Sequence, residues 1–151
     1  MLTFSVQEEV KKVRKVYVCS PLRAFDSVQR ENNVRLAKEY CSMVEALYDV
    51  VLAVAPHALL ARVLSDDVPE ERELALDFGL KLLGVCEAMF VCGTYVSEGM
   101  EGEIAKAVEL KKPIYVQELS LLAKVKDIAW KHGDGYVVKT IYEMIYEEAR
   151  K

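Results

Sequence analysis

Ala88-Met89-Phe90-Val91-Cys92-Gly93, followed by Gly99 to Lys111 and then by Pro113-Ile114-Tyr115-Val116, is the stretch that decides the fold. The first five residues are a continuous apolar run, closed by a glycine and of strand length. Ile104, Ala107 and Val108 then recur at helical spacing, before a second apolar run begins behind a proline. Strand, helix, strand in that order implies two parallel neighbours joined by a right-handed crossover.

Working outward, the same unit repeats. Lys15-Val16-Tyr17-Val18-Cys19 is an apolar, β-branched run ended by Ser20-Pro21, and Val50 to Ala55 is another, ended by Pro56-His57. Uninterrupted apolar runs belong to parallel strands covered on both faces. Between them, Val34, Ala37, Cys41, Val44 and Tyr48 predict an amphipathic helix from about Ser27 to Tyr48, with Asp26 or Ser27 as its N-cap. Pro69-Glu70-Glu71 suits the first turn of a further helix, in which Leu74, Phe78 and Leu82 are expected to form the buried stripe. After the fourth strand, a helix or turn from Ser120 to Trp130 leads to a break at Gly133-Asp134-Gly135. A last helix is expected beyond it, with Val138, Ile141, Ile145 and Ala149 on one face. The expected architecture is one α/β domain over residues 1–151. Its core, about 14–116, is a flavodoxin-like doubly wound parallel sheet of four or five strands with helices on both faces, and about 119–151 form a helical addition.

Composition narrows the function. The chain has 151 residues, 52% of them hydrophobic, enough for one substantial core. Twenty basic and 24 acidic residues are spread along it for a net charge of -4, so no basic stripe is available to neutralise a phosphate backbone, and a nucleic-acid polymer is not an expected partner. Its apolar runs fall far short of the roughly 20 residues of a membrane span, and Met1 to Val6 runs into Gln7-Glu8-Glu9 rather than into a signal-peptide core. A cytoplasmic protein without membrane contact is expected. Cys19, Cys41, Cys86 and Cys92 show no C-x-x-C spacing, and His57 and His132 stand apart, so buried reduced thiols are expected and no metal.

In a doubly wound sheet the ligand lies outside the carboxyl ends of the strands, so the loops after Cys19, Ala55 and Cys92 should meet at the site. The first carries Ser20, Pro21 and Arg23 without a dinucleotide or P-loop glycine pattern, and no NAD or nucleoside triphosphate cofactor is expected. The second carries His57, an imidazole at the sheet mouth where it can donate to a sugar or base. The third is the densest: Ser97-Glu98-Gly99-Met100-Glu101-Gly102-Glu103 places three acids and two glycines at the start of a helix. Glu98 and Glu101 suit the helix dipole. Glu103, one turn in and beside Ile104, belongs on the face that packs toward the sheet, where partial burial tunes a carboxylate for nucleophilic work.

Val16-Tyr17-Val18-Cys19-Ser20-Pro21, Ala55-Pro56-His57, Cys86-Glu87-Ala88-Met89-Phe90-Val91, Gly99-Met100-Glu101-Gly102-Glu103-Ile104-Ala105-Lys106-Ala107 and Lys112-Pro113-Ile114 resemble, in order and spacing, successive blocks of the nucleoside 2-deoxyribosyltransferase superfamily. The resemblance covers about residues 14 to 116. It implies that Glu103 attacks the anomeric carbon of a deoxynucleoside or its 5′-monophosphate, releasing the base and forming a glycosyl ester that water or a second base resolves. It further implies that Tyr17 orients that carboxylate. Ser20, Pro21 and their backbone, with Gly99 and Met100, line the ligand, and Arg23 meets a 5′-phosphate. Two positions depart from the family. Ser97 stands where transferases have an aspartate, as in relatives that hydrolyse deoxynucleoside monophosphates, and Gly79 stands where a further aspartate serves the base. A non-catalytic nucleotide binder that keeps the pocket is the alternative. The P-G-G-x-G-T-x-x-E pattern of cytokinin-activating phosphoribohydrolases is not met, because Cys92-Gly93-Thr94 is too far from Glu103. Family members assemble as dimers or larger, so a homo-oligomer is expected.

Overall fold

The computed structural model describes residues 14–22, 26–47, 51–60, 64 and 67–150. Arg23, Tyr48, Val50 and the amino-terminal residues discussed above lie outside the described residues. Five strands, β1 (Arg14–Cys19), β2 (Val51–Val54), β3 (Ala88–Val91), β4 (Ile114–Val116) and β5 (Val138–Thr140), form one sheet in the order β2-β1-β3-β4-β5. Every pairing is parallel. This is the flavodoxin-like order, with its switch point between β1 and β3.

Alternation along each strand decides which helix a residue meets. Val16 and Val18 of β1 and Ala88 and Phe90 of β3 join a cluster with Ala37 and Val44 of α1 (Ser27–Ala46) and Ile141 and Met144 of α6 (Ile141–Ala149). Tyr17, Cys19, Met89 and Val91 point the other way. There they meet Leu83 of α3 (Pro69–Gly84), Met100, Ile104 and Ala107 of α4 (Glu98–Glu109), and Val125 and Ile128 of α5 (Leu122–His132). A short α2 (Pro56–Leu60) follows β2 directly. No helix among the described residues is long and apolar enough to cross a membrane.

Asp26 is the N-cap of α1, its carboxylate accepting the Gln29 amide at 2.7 Å. Two expectations are corrected. In α3, Leu74 is 57% and Phe78 39% exposed, and the buried residues are Gly79 and Leu83. The helix is rotated about its axis relative to the leucine-phenylalanine stripe, with Gly79 turned toward Tyr17 and Pro56. A Cβ on Gly79 would stand 3.3 Å from Tyr17 Oη and 3.5 Å from Pro56 Cγ.

The carboxyl-terminal segment is the second correction. Val138 belongs to strand β5, paired with Ile114, and α6 begins only at Ile141, with Ile141 and Met144 buried and Ile145 40% exposed. Gly135, at φ 71°, turns the chain back to the sheet, and Val138 and Thr140 bury alternate side chains there. Thr140 then caps α6, its hydroxyl accepting the Glu143 amide at 3.1 Å. The segment adds a strand as well as two helices.

Candidate active site

Tyr17 is the midpoint of β1 and is fully buried on the α4 side of the sheet. Glu103 lies three residues after Met100 and four before Ala107, both buried, so helical geometry aims it at the same place. The Tyr17 hydroxyl donates a hydrogen bond to Glu103 Oε2. Burial pushes the Glu103 carboxyl up to about 7, against a lowering by the Tyr17 hydrogen bond. The same burial, with the facing carboxylate, holds the phenol well above its ordinary value, so Tyr17 stays protonated and remains the donor. Near neutrality Glu103 is therefore poised between acid and carboxylate. Tyr17→Phe removes the interaction that lowers it and is expected to move the Glu103 titration above 7, as read by NMR of the side-chain carboxyl.

The pair opens into a cavity of about 360 Å³ at the carboxyl end of the sheet. Pro56 and His57 of α2 form one side, and Ala75, Leu76, Gly79 and Leu80 of α3 another. Glu98, Gly99 and Gly102, all on the exposed first turns of α4, form the rim. Leu22, Leu60 and Leu64 extend the apolar lining, and Glu71 and Arg72 bring charge from the first turn of α3. An apolar cavity with a few converging polar groups is the usual form of a small-molecule site.

The expected residues divide. Tyr17, His57, Gly99 and Glu103 line the cavity together. The ring Nε2 of His57 lies 2.7 Å from the Ser20 carbonyl oxygen, which can only accept, so Nε2 carries a proton there and ties α2 to the end of β1. Ser20, Pro21, Ser97 and Met100 stand behind the lining. Ser20 is buried and its hydroxyl has no partner among the described residues. Pro21 is buried against Gly93. Ser97 is the N-cap of α4, accepting the Met100 amide at 3.3 Å, while its own amide meets Met100 Sδ at 3.4 Å. Its hydroxyl thus holds the helix that carries Glu103. Met100 is core. Arg23 lies outside the described residues. Glu101 pairs with Lys124 at 3.7 Å and is off the cavity, whereas Glu98, read from sequence as a dipole partner alone, is on its rim.

Sequence reading missed the α3 wall. Ala75, Leu76 and Leu80 are indistinguishable from core by type. The usable signal was Gly79 itself, a glycine inside a helix, which marks a close approach. The buried thiols take no part in the lining. Burial pushes Cys92 up to about 12 and Cys86 to about 11, and among the described residues no cluster of histidine, cysteine and acid could hold a metal ion.

Fold and site together define an α/β protein of flavodoxin-like strand order with a ligand-sized cavity beside the switch point and a tyrosine–glutamate pair at its base. The chain belongs to the family described as a domain of unknown function, DUF7768, whose model matches residues 14–117. That span runs from the start of β1 to just past β4 and contains every residue of the cavity lining. No curated protein matches the chain.

Proposed function

We propose that the protein cleaves or transfers the N-glycosidic bond of a nucleoside, a deoxynucleoside or its 5′-monophosphate being the expected form, with Glu103 as nucleophile and Tyr17 as the group that orients it. The observation that carries this reading is the Tyr17–Glu103 hydrogen bond at the base of a cavity. A carboxylate so placed can attack an anomeric carbon while its second oxygen stays fixed by the phenol. Splitting one displacement into two lets negative charge meet an oxocarbenium-like transition state from one face. His57 ties the exits of β1 and β2 together through the Ser20 carbonyl.

The test is incubation with a panel of deoxynucleosides and their monophosphates, with free base followed by chromatography. Base release that depends on Glu103 is the expected result. No base from any member, or release by Glu103→Ala as fast as by the wild type, rejects the proposal. A nucleotide that raises the melting temperature without being consumed transfers the support to a binding protein built on the same pocket.

The same reading holds the protein to be cytoplasmic and homo-oligomeric. Leu74 and Phe78, one turn apart on the outer face of α3, support the second part. Light scattering that returns a monomer removes it.

A further inference from the structure

We infer that the preferred substrate is a nucleoside whose base already carries a positive charge, so that the leaving group departs without a general acid. This rests on the glycosidic reading above and names its substrate class.

A neutral base leaves with an electron pair on its ring nitrogen and needs a proton from a group within hydrogen-bond reach. The part of α3 that faces the Tyr17–Glu103 pair has none to give. Gly79 sits directly against the Tyr17 hydroxyl, with room for a Cβ only at 3.3 Å from it. The neighbours on that face are Ala75, Leu76 and Leu80. Of the charged residues of this helix only Glu71 and Arg72 are among the described lining residues, eight and seven positions before Gly79, about 10–12 Å along the axis at 1.5 Å per residue; Asp77 is exposed and pairs with Lys81 at 3.1 Å. His57 Nε2 is directed at the Ser20 carbonyl. A cationic base makes no such demand. As Glu103 forms its bond to the anomeric carbon, the carbon–nitrogen bond breaks, its electron pair neutralises the ring cation, and the base leaves uncharged. Water then attacks the same carbon, the ester bond returns its electrons to the Glu103 carboxylate, and the water proton passes to solvent.

Charge in the cavity agrees. The described lining residues carry three carboxyl groups, Glu71, Glu98 and Glu103, and one guanidinium, Arg72. An excess of acid favours a cation in the cavity, and the apolar walls suit a flat ring whose charge is delocalised over it.

The test compares 7-methyl-2′-deoxyguanosine with 2′-deoxyguanosine, which differ by one methyl group and one positive charge. Base release is measured against each compound's own rate without protein, for the wild type and for Glu103→Gln. Without a general acid the acceleration of the methylated compound is expected to be at least as large as that of 2′-deoxyguanosine, whereas a general acid would favour the neutral base by about 100-fold. Glu103→Gln should lose the acceleration. A larger acceleration of 2′-deoxyguanosine overturns the preference for a cationic base and leaves the glycosidic reading standing; no acceleration of either overturns both. Glu98→Gln separates the last alternative. A raised KM for the methylated compound with kcat kept fits a carboxylate that attracts the cation. Loss of kcat on 2′-deoxyguanosine would mark Glu98 as a general acid and overturn the inference.

Discussion

Glu103→Gln is expected to abolish base release, by roughly 10⁶-fold as for loss of a nucleophile elsewhere, and at pH 8 to make the protein more stable by about 3 kcal/mol. The sign follows from proton binding. The folded carboxyl titrates at about 7 and the ordinary carboxyl near 4.5. Between those values the folded chain holds a proton that the unfolded chain has lost, so stability falls as pH rises across that window and levels off above it. At about 1.4 kcal/mol per unit, the wild type gives up ~3 kcal/mol. Glutamine stays neutral, and its carbonyl oxygen can still accept from Tyr17, so the variant has no such fall. The two proteins should melt together at pH 4 and separate by roughly 8 °C at pH 8. Equal melting temperatures at both pH values would show that the Glu103 carboxyl is not desolvated. A site residue whose removal stabilises the fold is the pattern expected where function is kept at a cost in stability.

Gly93→Ala should produce the largest loss of stability. Gly93 has φ 109°, a left-handed conformation that alanine adopts only with strain, and a Cβ there would lie 2.8 Å from Pro21 Cδ. The proline ring is rigid and buried, so it cannot swing aside. Strained backbone and forced overpacking together set the cost at about 4 kcal/mol, read as a fall of roughly 2 M in the urea midpoint. The contrast is Gly102→Ala. Gly102 is inside α4 with nothing within 4 Å of its Cβ position, so alanine there should gain about 1 kcal/mol from helix propensity. A tolerated Gly93→Ala would mean that the β1 and β3 exits do not press on each other. The consequence would reach the site, because that contact separates the loops that carry Ser20 and Ser97.

Legibility followed local order. Continuous apolar runs marked β1 to β4, since a strand covered on both faces must be apolar at consecutive positions. The three residues of β5 were too few to stand out beside Ile141, Ile145 and Ala149, whose helical spacing absorbed Val138 into the helix. In α3, leucines and a phenylalanine outnumber the positions the core can take, so hydrophobic spacing chose Leu74 and Phe78. The real inner face is set by how closely a glycine lets the helix approach Tyr17.

From sequence alone came the strand-helix alternation and the register that puts Glu103 on the inner face of α4, because these depend on periods of two and 3.6 residues within one element. Only the tertiary structure joined Tyr17 to Glu103, 86 positions apart. It also placed Gly79 and the apolar wall of α3 beside them and turned the Ser97 hydroxyl to the cap. Those facts depend on the rotation of each helix about its own axis and on which loops share one end of the sheet. Both are decided by packing between segments distant in the chain.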